Sequence, residues 1–262
     1  MVSAHRGGAA DVAVVTLSAG IASDAWLMPR ERRPWPLRAV LYNALSLVGS
    51  SRAREIAYEC NADLLLITGT CVRAVGQYSY HAETLGSIRA LHLGWRSDAG
   101  PGSNRHAGVS VIWGRQLRGA KVREVRAAPR RTSGRCGAVR LQMGPLDVSA
   151  IVAYPPPLKP STRTDESCHK AAMETVSWIR EGLDQIPARS TPILGLDNAC
   201  FGTARETEGI IGVHNLYEKG TATGKALETL FVDHGLSAVT TFHARAGPTF
   251  FHPSGSCTSP DQ

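Results

Sequence analysis

The chain has 262 residues, with 29 Lys and Arg against 22 Asp and Glu, a formal net charge of +7. Its 43% hydrophobic and 19% charged residues are the balance of a globular protein that buries a large core, which excludes a wholly disordered chain. The positive balance suits a polyanionic partner such as nucleic acid. Cys60, Cys71, Cys136, Cys168, Cys200 and Cys257 show no CxxC spacing, which argues against zinc and for reduced, buried thiols in an intracellular protein.

Val12 to Met28 is fairly apolar, but it is bracketed by Asp11 and Asp24 and is too short to span a bilayer as a helix. With only His5 and Arg6 ahead of it, it reads as a leader rather than a secretory signal. No other stretch could cross a membrane. Pro29, Arg30, Glu31, Arg32, Arg33, Pro34, Trp35 and Pro36 read as an extended linker, because proline blocks both helix and central strand. The expected organisation is therefore a poorly ordered leader and linker over residues 1–36, then one domain over 37–262.

The domain opens with a short buried strand, Arg38 to Tyr42. A helix follows, capped by Ser50 or Ser51, with Ala53, Ile56, Ala57 and Cys60 on one face. Leu64, Leu65, Leu66 and Ile67 are continuous rather than alternating, as in a strand covered on both faces. Strands are predicted at Gly108 to Trp113, Lys121 to Ala127 and Ala138 to Leu141, with Pro129 to Gly137 as the loop between the last two. Val148 to Tyr154 is a further buried strand, stopped by Pro155, Pro156 and Pro157. Thr164 is a plausible N-cap for the clearest helix, in which Ala172, Val176, Ile179, Leu183 and Ile186 form one stripe. Pro192 to Leu196 is a strand, Thr223 to His234 a helix ended by Gly235, and Val239 to Thr241 and Thr249 to Phe251 are short strands. The pattern points to layered α/β.

Polar residues finish four of these strands: Asn43, Thr68-Gly69-Thr70, Tyr154 and Asp197-Asn198. Ligand sites in sheet proteins gather at strand ends. Taken singly each has a plain reading: Asn43 and Asp197-Asn198 as turn residues, Tyr154 as packing at a strand exit. His252, His214 and His234 read as structural.

In order along the chain these motifs resemble the endonuclease/exonuclease/phosphatase superfamily, the deoxyribonuclease I-like fold. Asn43 in YNALSL is similar to its opening Asn motif, and LITGTCV (66–72) stands at its Gln-Glu-Thr segment. Tyr154 with Pro156 is similar to Tyr-x-Pro. Asp197-Asn198-Ala199 is similar to Gly-Asp-x-Asn-Ala with one residue missing. Gly247 to Gly255 (GPTFFHPSG) resembles the Thr-Trp-x-His-Pro-x-Gly segment of non-LTR retrotransposon endonucleases. The resemblance runs from about Leu37 to the C-terminus. It implies a four-layer α-β-β-α sandwich of two mixed β-sheets flanked by helices, lacking the last strand and loop of the family.

The resemblance further implies a metal-dependent phosphodiester hydrolase, a DNA endonuclease of the retroelement type. Asn43 would help hold Mg²⁺ or Mn²⁺, with Asp261 as a second candidate. Tyr154 would contact the phosphate, and Asp197 with Asn198 would position water and phosphate. Within the basic run from Arg115 to Arg140, Arg130, Arg131 and Arg135 are candidate contacts to the DNA backbone. Three departures weigh against full activity. The metal-binding Glu position falls at Gly69, which predicts reduced metal affinity. The Asp197-Asn198 pair is one residue tighter than the family's, so the two side chains need not aim at one site. The sequence stops at Gln262, before the family's Asp-His loop, with Asp261 in a possible remnant of its preceding strand. The expectation is thus a degenerate endonuclease-like hydrolase, monomeric, nuclear or cytoplasmic. The alternatives are a non-catalytic nucleic-acid-binding or vestigial domain, and a small-substrate phosphatase of the same fold.

Overall fold

The computed structural model of the chain describes residues 12–18, 36–44, 47, 52–73, 81–95, 107–156, 166–198, 201, 209–212, 220–238, 242, 250–251 and 257–258. One sheet holds β1 (Val12–Ser18), β2 (Pro36–Asn43), β3 (Leu64–Thr68), β4 (His81–Leu85), β5 (Ile88–Leu93) and β6 (Val109–Trp113), in the order β1-β2-β3-β6-β5-β4. The second holds β7 (Lys121–Ala127), β8 (Cys136–Met143), β9 (Leu146–Ala153) and β10 (Thr191–Leu196), in the order β10-β9-β8-β7. Each sheet is mixed: β2 and β3 run parallel, as do β9 and β10, and the remaining pairs are antiparallel. The helices are α1 (Arg52–Cys60), α2 (Glu166–Asp184) and α3 (Ala222–His234), and a short antiparallel pair joins β11 (Phe250–Phe251) to β12 (Cys257–Thr258).

Side-chain alternation along each strand sorts the core into three apolar layers. Leu37, Ala39 and Leu41 of β2 and Leu64 and Leu66 of β3 meet Val139, Leu141, Val148, Ala150, Val152 and Ile193 between the sheets. The intervening residues Val40, Tyr42, Leu65 and Ile67 face outward and pack with Ala53, Ile56 and Cys60 of α1. On the other side Cys136, Ile151, Ala153 and Leu196 pack with Val176, Ile179 and Leu183 of α2 and with Leu227 and Leu230 of α3. The result is the four-layer α-β-β-α sandwich. All five residues of β3 are buried, as a strand covered by α1 on one face and a second sheet on the other must be.

The helices follow their sequence signals. Thr221 caps α3 by accepting from Gly224 N at 3.0 Å, and Gly235 closes it in the left-handed region at φ 61°, where glycine carries no Cβ penalty. The predicted caps Thr164, Ser50 and Ser51 lie outside the described residues, as does Val239 to Thr241.

The structure corrects the sequence reading in two places. The stretch read as leader contributes β1, whose Val12–Ser18 pairs antiparallel with Tyr42–Pro36. The sheet thus starts well before Leu37, and Pro36, read as linker, is the first residue of β2, the position in a strand where proline is tolerated. The segment between Val72 and Gly108, given no elements from sequence, holds the β4–β5 hairpin turned at Gly86-Ser87. That two-residue Gly-Ser turn between apolar runs was the available signal.

Candidate functional site

The strand periodicity that builds the inter-sheet core also builds the site at its end. Leu41, Leu66 and Val152 belong to the last apolar layer between the sheets, and Gly195 packs there against Leu66 and Leu41. Two residues further along each strand, on the same face, stand Asn43, Thr68, Tyr154 and Asp197. These are the exits of the two parallel pairs, β2–β3 in one sheet and β9–β10 in the other, where Asn43 is in register with Thr68 and Leu196 with Ala153. Sequence-distant polar groups therefore converge because four strands end at one rim.

Asp197 is the centre of this layer. Its side chain is 1% exposed, and its Oδ2 accepts hydrogen bonds from Asn43 Nδ2 at 2.8 Å and from Thr68 Oγ1 at 2.5 Å. Both donors come from the opposite sheet. Its Oδ1 is buried without a hydrogen-bond partner among the described residues, an uncommon state for a buried polar atom and one that marks a site for water or ligand. The backbone of Asp197 continues the ladder by donating to Ala153 O at 3.1 Å.

Asn198 does what the tightened motif made possible: it turns away. Its backbone is left-handed at φ 59°, and its Nδ2 donates to Pro155 O at 3.1 Å. Asn198 thus ties the exit of β10 to the exit of β9 while Asp197 faces the opposite sheet. Tyr154 is half-buried at the edge of the inter-sheet core.

Arg135 was read from sequence with Arg130 and Arg131, and the structure separates it from them. Arg135 is 4% exposed. It stands opposite Tyr154, whose N–H donates to Arg135 O at 2.7 Å. Its guanidinium lies 5.2 Å from the Tyr154 ring centroid and donates to Tyr154 O at 3.4 Å. Burial lowers the pKa of this guanidinium, with Tyr154, Cys168, Asp197 and Cys136 opposing the shift through their charge. Arg130 and Arg131 are exposed in a short 3-10 turn, Arg130–Thr132, and Arg131 lies 3.9 Å from Glu174 of α2. The rest of the basic run disperses: Arg115 bonds Asn61, Arg126 lies over Trp178, and Arg140 pairs with Asp147.

Against a divalent cation the described donors fit poorly. A hard ion such as Mg²⁺ is held by one or two carboxylates supplemented by water and phosphate oxygens. Here a single described carboxylate, Asp197, stands in the layer, and its Oδ2 already accepts two hydrogen bonds. Gly69, at the position where the resemblance asks for Glu, has no side chain to offer. Among the described residues no group of three His, Cys, Asp or Glu is placed to hold a metal. Asp261 lies outside the described residues. No helix of the described residues is long and apolar enough to cross a membrane.

The α-β-β-α sandwich of the chain has counterparts among solved structures, at low sequence identity. Solved structures similar to it include the endonuclease domain of TRAS1, a telomere-specific non-LTR retrotransposon, at 12% identity over 86% of this chain and 82% of that one, with a TM-score of 0.45. The AP endonuclease LMAP from Leishmania major is similar at 11% identity over 74% of this chain and 65% of that one, TM-score 0.46. Beta toxin from Staphylococcus aureus is similar at 12% identity over 74% of this chain and 70% of that one, TM-score 0.40. No protein-family model matches the chain, and no curated protein matches it.

Proposed function

We propose that the chain is a phosphodiester hydrolase of the endonuclease type, acting on nucleic acid at the rim centred on Asp197. One observation carries the reading: a buried carboxylate clamped on one oxygen by Asn43 and Thr68, which lie 154 and 129 residues away in sequence, with its other oxygen unpartnered among the described residues. In hydrolysis a water oxygen bonds to phosphorus and sheds a proton, while the bond to the leaving oxygen breaks and that oxygen gains one. Asp197 Oδ1 is the acceptor for the water's proton. The clamp on Oδ2 holds the carboxylate in one rotamer, so no orientation is lost at the moment of reaction. Tyr154 contacts the phosphate, Asn43 fixes Asp197, and Asn198 ties the exit of β10 to that of β9. The net charge of +7 supports DNA as the partner, and the run GPTFFHPSG supports a retroelement-type enzyme.

Gly69 favours a second reading. Without a carboxylate at the end of β3 the site holds Mg²⁺ weakly, and the domain then binds nucleic acid without cutting it. Plasmid nicking in Mg²⁺ or Mn²⁺, run beside Asp197→Asn, separates the two. Nicking that the variant loses supports the hydrolase; salt-sensitive DNA binding with no nicking supports the binding domain. Hydrolysis confined to small phosphate esters contradicts both and points to a phosphatase.

A further inference from the structure

We infer that Arg135 is the anion-contacting group of this rim, taking a phosphodiester oxygen directly, with no metal ion between them. The inference deepens the proposed function and rests on its placement of the substrate at the rim. Arg135 shares the polar layer: Gly137, two residues along β8, faces Leu93 of the inter-sheet core, so Arg135 faces the same way as its cross-strand neighbour Tyr154.

A guanidinium has five N–H donors in a fixed fork matched to phosphate. Among the described residues the guanidinium of Arg135 makes a single hydrogen bond, to Tyr154 O at 3.4 Å, and its Nε–H is buried with no partner. No carboxylate lies within ion-pair distance of Arg135 among the described residues, although Asp197 is one of the charges that support it. A buried cation left short of partners is costly, and one held over a tyrosine ring at a strand-end rim is ordered in advance for an anion. At the same rim Asn43, Tyr154 and Asn198 are half-buried rather than buried, the side from which a phosphodiester would approach. The divalent cation would bring positive charge to this rim, yet Gly69 removes its carboxylate. Arg135 supplies that charge from the protein itself.

The test uses the dinucleotide TpT as probe, in EDTA, with the whole chain. The side-chain Nε–H resonance of Arg135, assigned by its disappearance in Arg135→Lys, should shift on titration of the wild-type protein. Affinity should fall about tenfold or more in Arg135→Met, as for loss of a charge-assisted hydrogen bond, and recover in part in Arg135→Lys. Arg130→Ala and Arg131→Ala should leave TpT affinity within about twofold of wild type. If Arg135→Met fails to fold, the wild-type titration still decides. An Nε–H resonance that stays still while TpT binds overturns the inference and leaves the hydrolase reading standing. Binding that moves Arg135, in a protein that never nicks DNA, supports the inference and removes the hydrolase reading alone. TpT binding that requires Mg²⁺ overturns the inference.

Discussion

A β-carbon on Gly195 would lie 2.7 Å from Leu66 Cδ1 and 3.1 Å from Leu41 Cδ1, so the two sheets touch through this glycine. Close approach here is what lets Asp197, two residues on, reach Asn43 and Thr68 across the gap. Gly195→Ala should therefore act twice. Overpacking of this kind costs about 1–3 kcal/mol, to be read by urea denaturation. Nucleic-acid affinity should fall as well, because separated sheets break the clamp. Gly119→Ala, whose added carbon meets only Met143 Sδ at 3.7 Å, is the comparison and should change neither.

The clamp itself predicts coupling. Asn43→Ala and Thr68→Val each remove one donor from a buried carboxylate, and hydrogen bonds to charged groups contribute about 1.5–3 kcal/mol. Because both donors meet Asp197 Oδ2, the double variant should deviate from additivity by about 0.5 kcal/mol or more. A double-mutant cycle by chemical denaturation measures it. Strict additivity means the two bonds do not share the carboxylate.

How much of this was legible in the sequence depended on pattern length. The run from Leu64 to Ile67 announced a doubly covered strand, and the stripe from Ala172 to Leu183 announced α2; both are long and one-sided. Asn43, Tyr154 and Asp197 were singled out because strand ends followed by turn residues can be seen locally. Thr68 was seen as a strand end and given no role, since a threonine there is ordinary until its partner across the sandwich is known. Arg135 looked like its neighbours Arg130 and Arg131, and only the register of β8 against β9 turns it inward. β1 escaped notice because a long gap in sequence and the prolines before Leu37 hid its pairing with β2, and strand pairing is a tertiary fact.

Acid should weaken the part-buried pair of Arg140 and Asp147. Arg140 Nε and a terminal nitrogen of the same guanidinium donate to Asp147 at 2.8 and 2.6 Å, and these bonds lead the causes that lower the Asp147 pKa, helped by Ser190 and Arg189 against the opposing effect of burial. A folded pKa below the unfolded one contributes stability that is present above the unfolded value, about 3.9, and is lost as pH falls through the lower folded value. Stability measured by urea titration should decline over that acid window, and the decline should be shallower in Asp147→Asn. Equal slopes in the two proteins contradict the assignment.

The four described thiols should divide into two classes. Burial raises Cys60 to about 11, with Glu59 adding to the shift and Arg38 opposing it, and burial raises Cys136 further still. The thiolate is the reactive form. At pH 8 both should resist alkylation in the native protein and react on unfolding, whereas the partly exposed Cys71 and Cys168 should react first. Peptide mapping after timed labelling reads the order. Early labelling of Cys136 means that the layer between β8 and α2 opens readily.

Everything proposed for this protein places nucleic acid against one rim of the sandwich. Backbone amide NMR of the whole chain, titrated with a short DNA duplex, locates the contact directly. Shifts should concentrate at Asn43, Thr68, Arg135, Tyr154 and Asp197, and should be lost in Arg135→Met. Shifts confined to the exposed strand β7 or to α1, with those five residues unmoved, contradict the account.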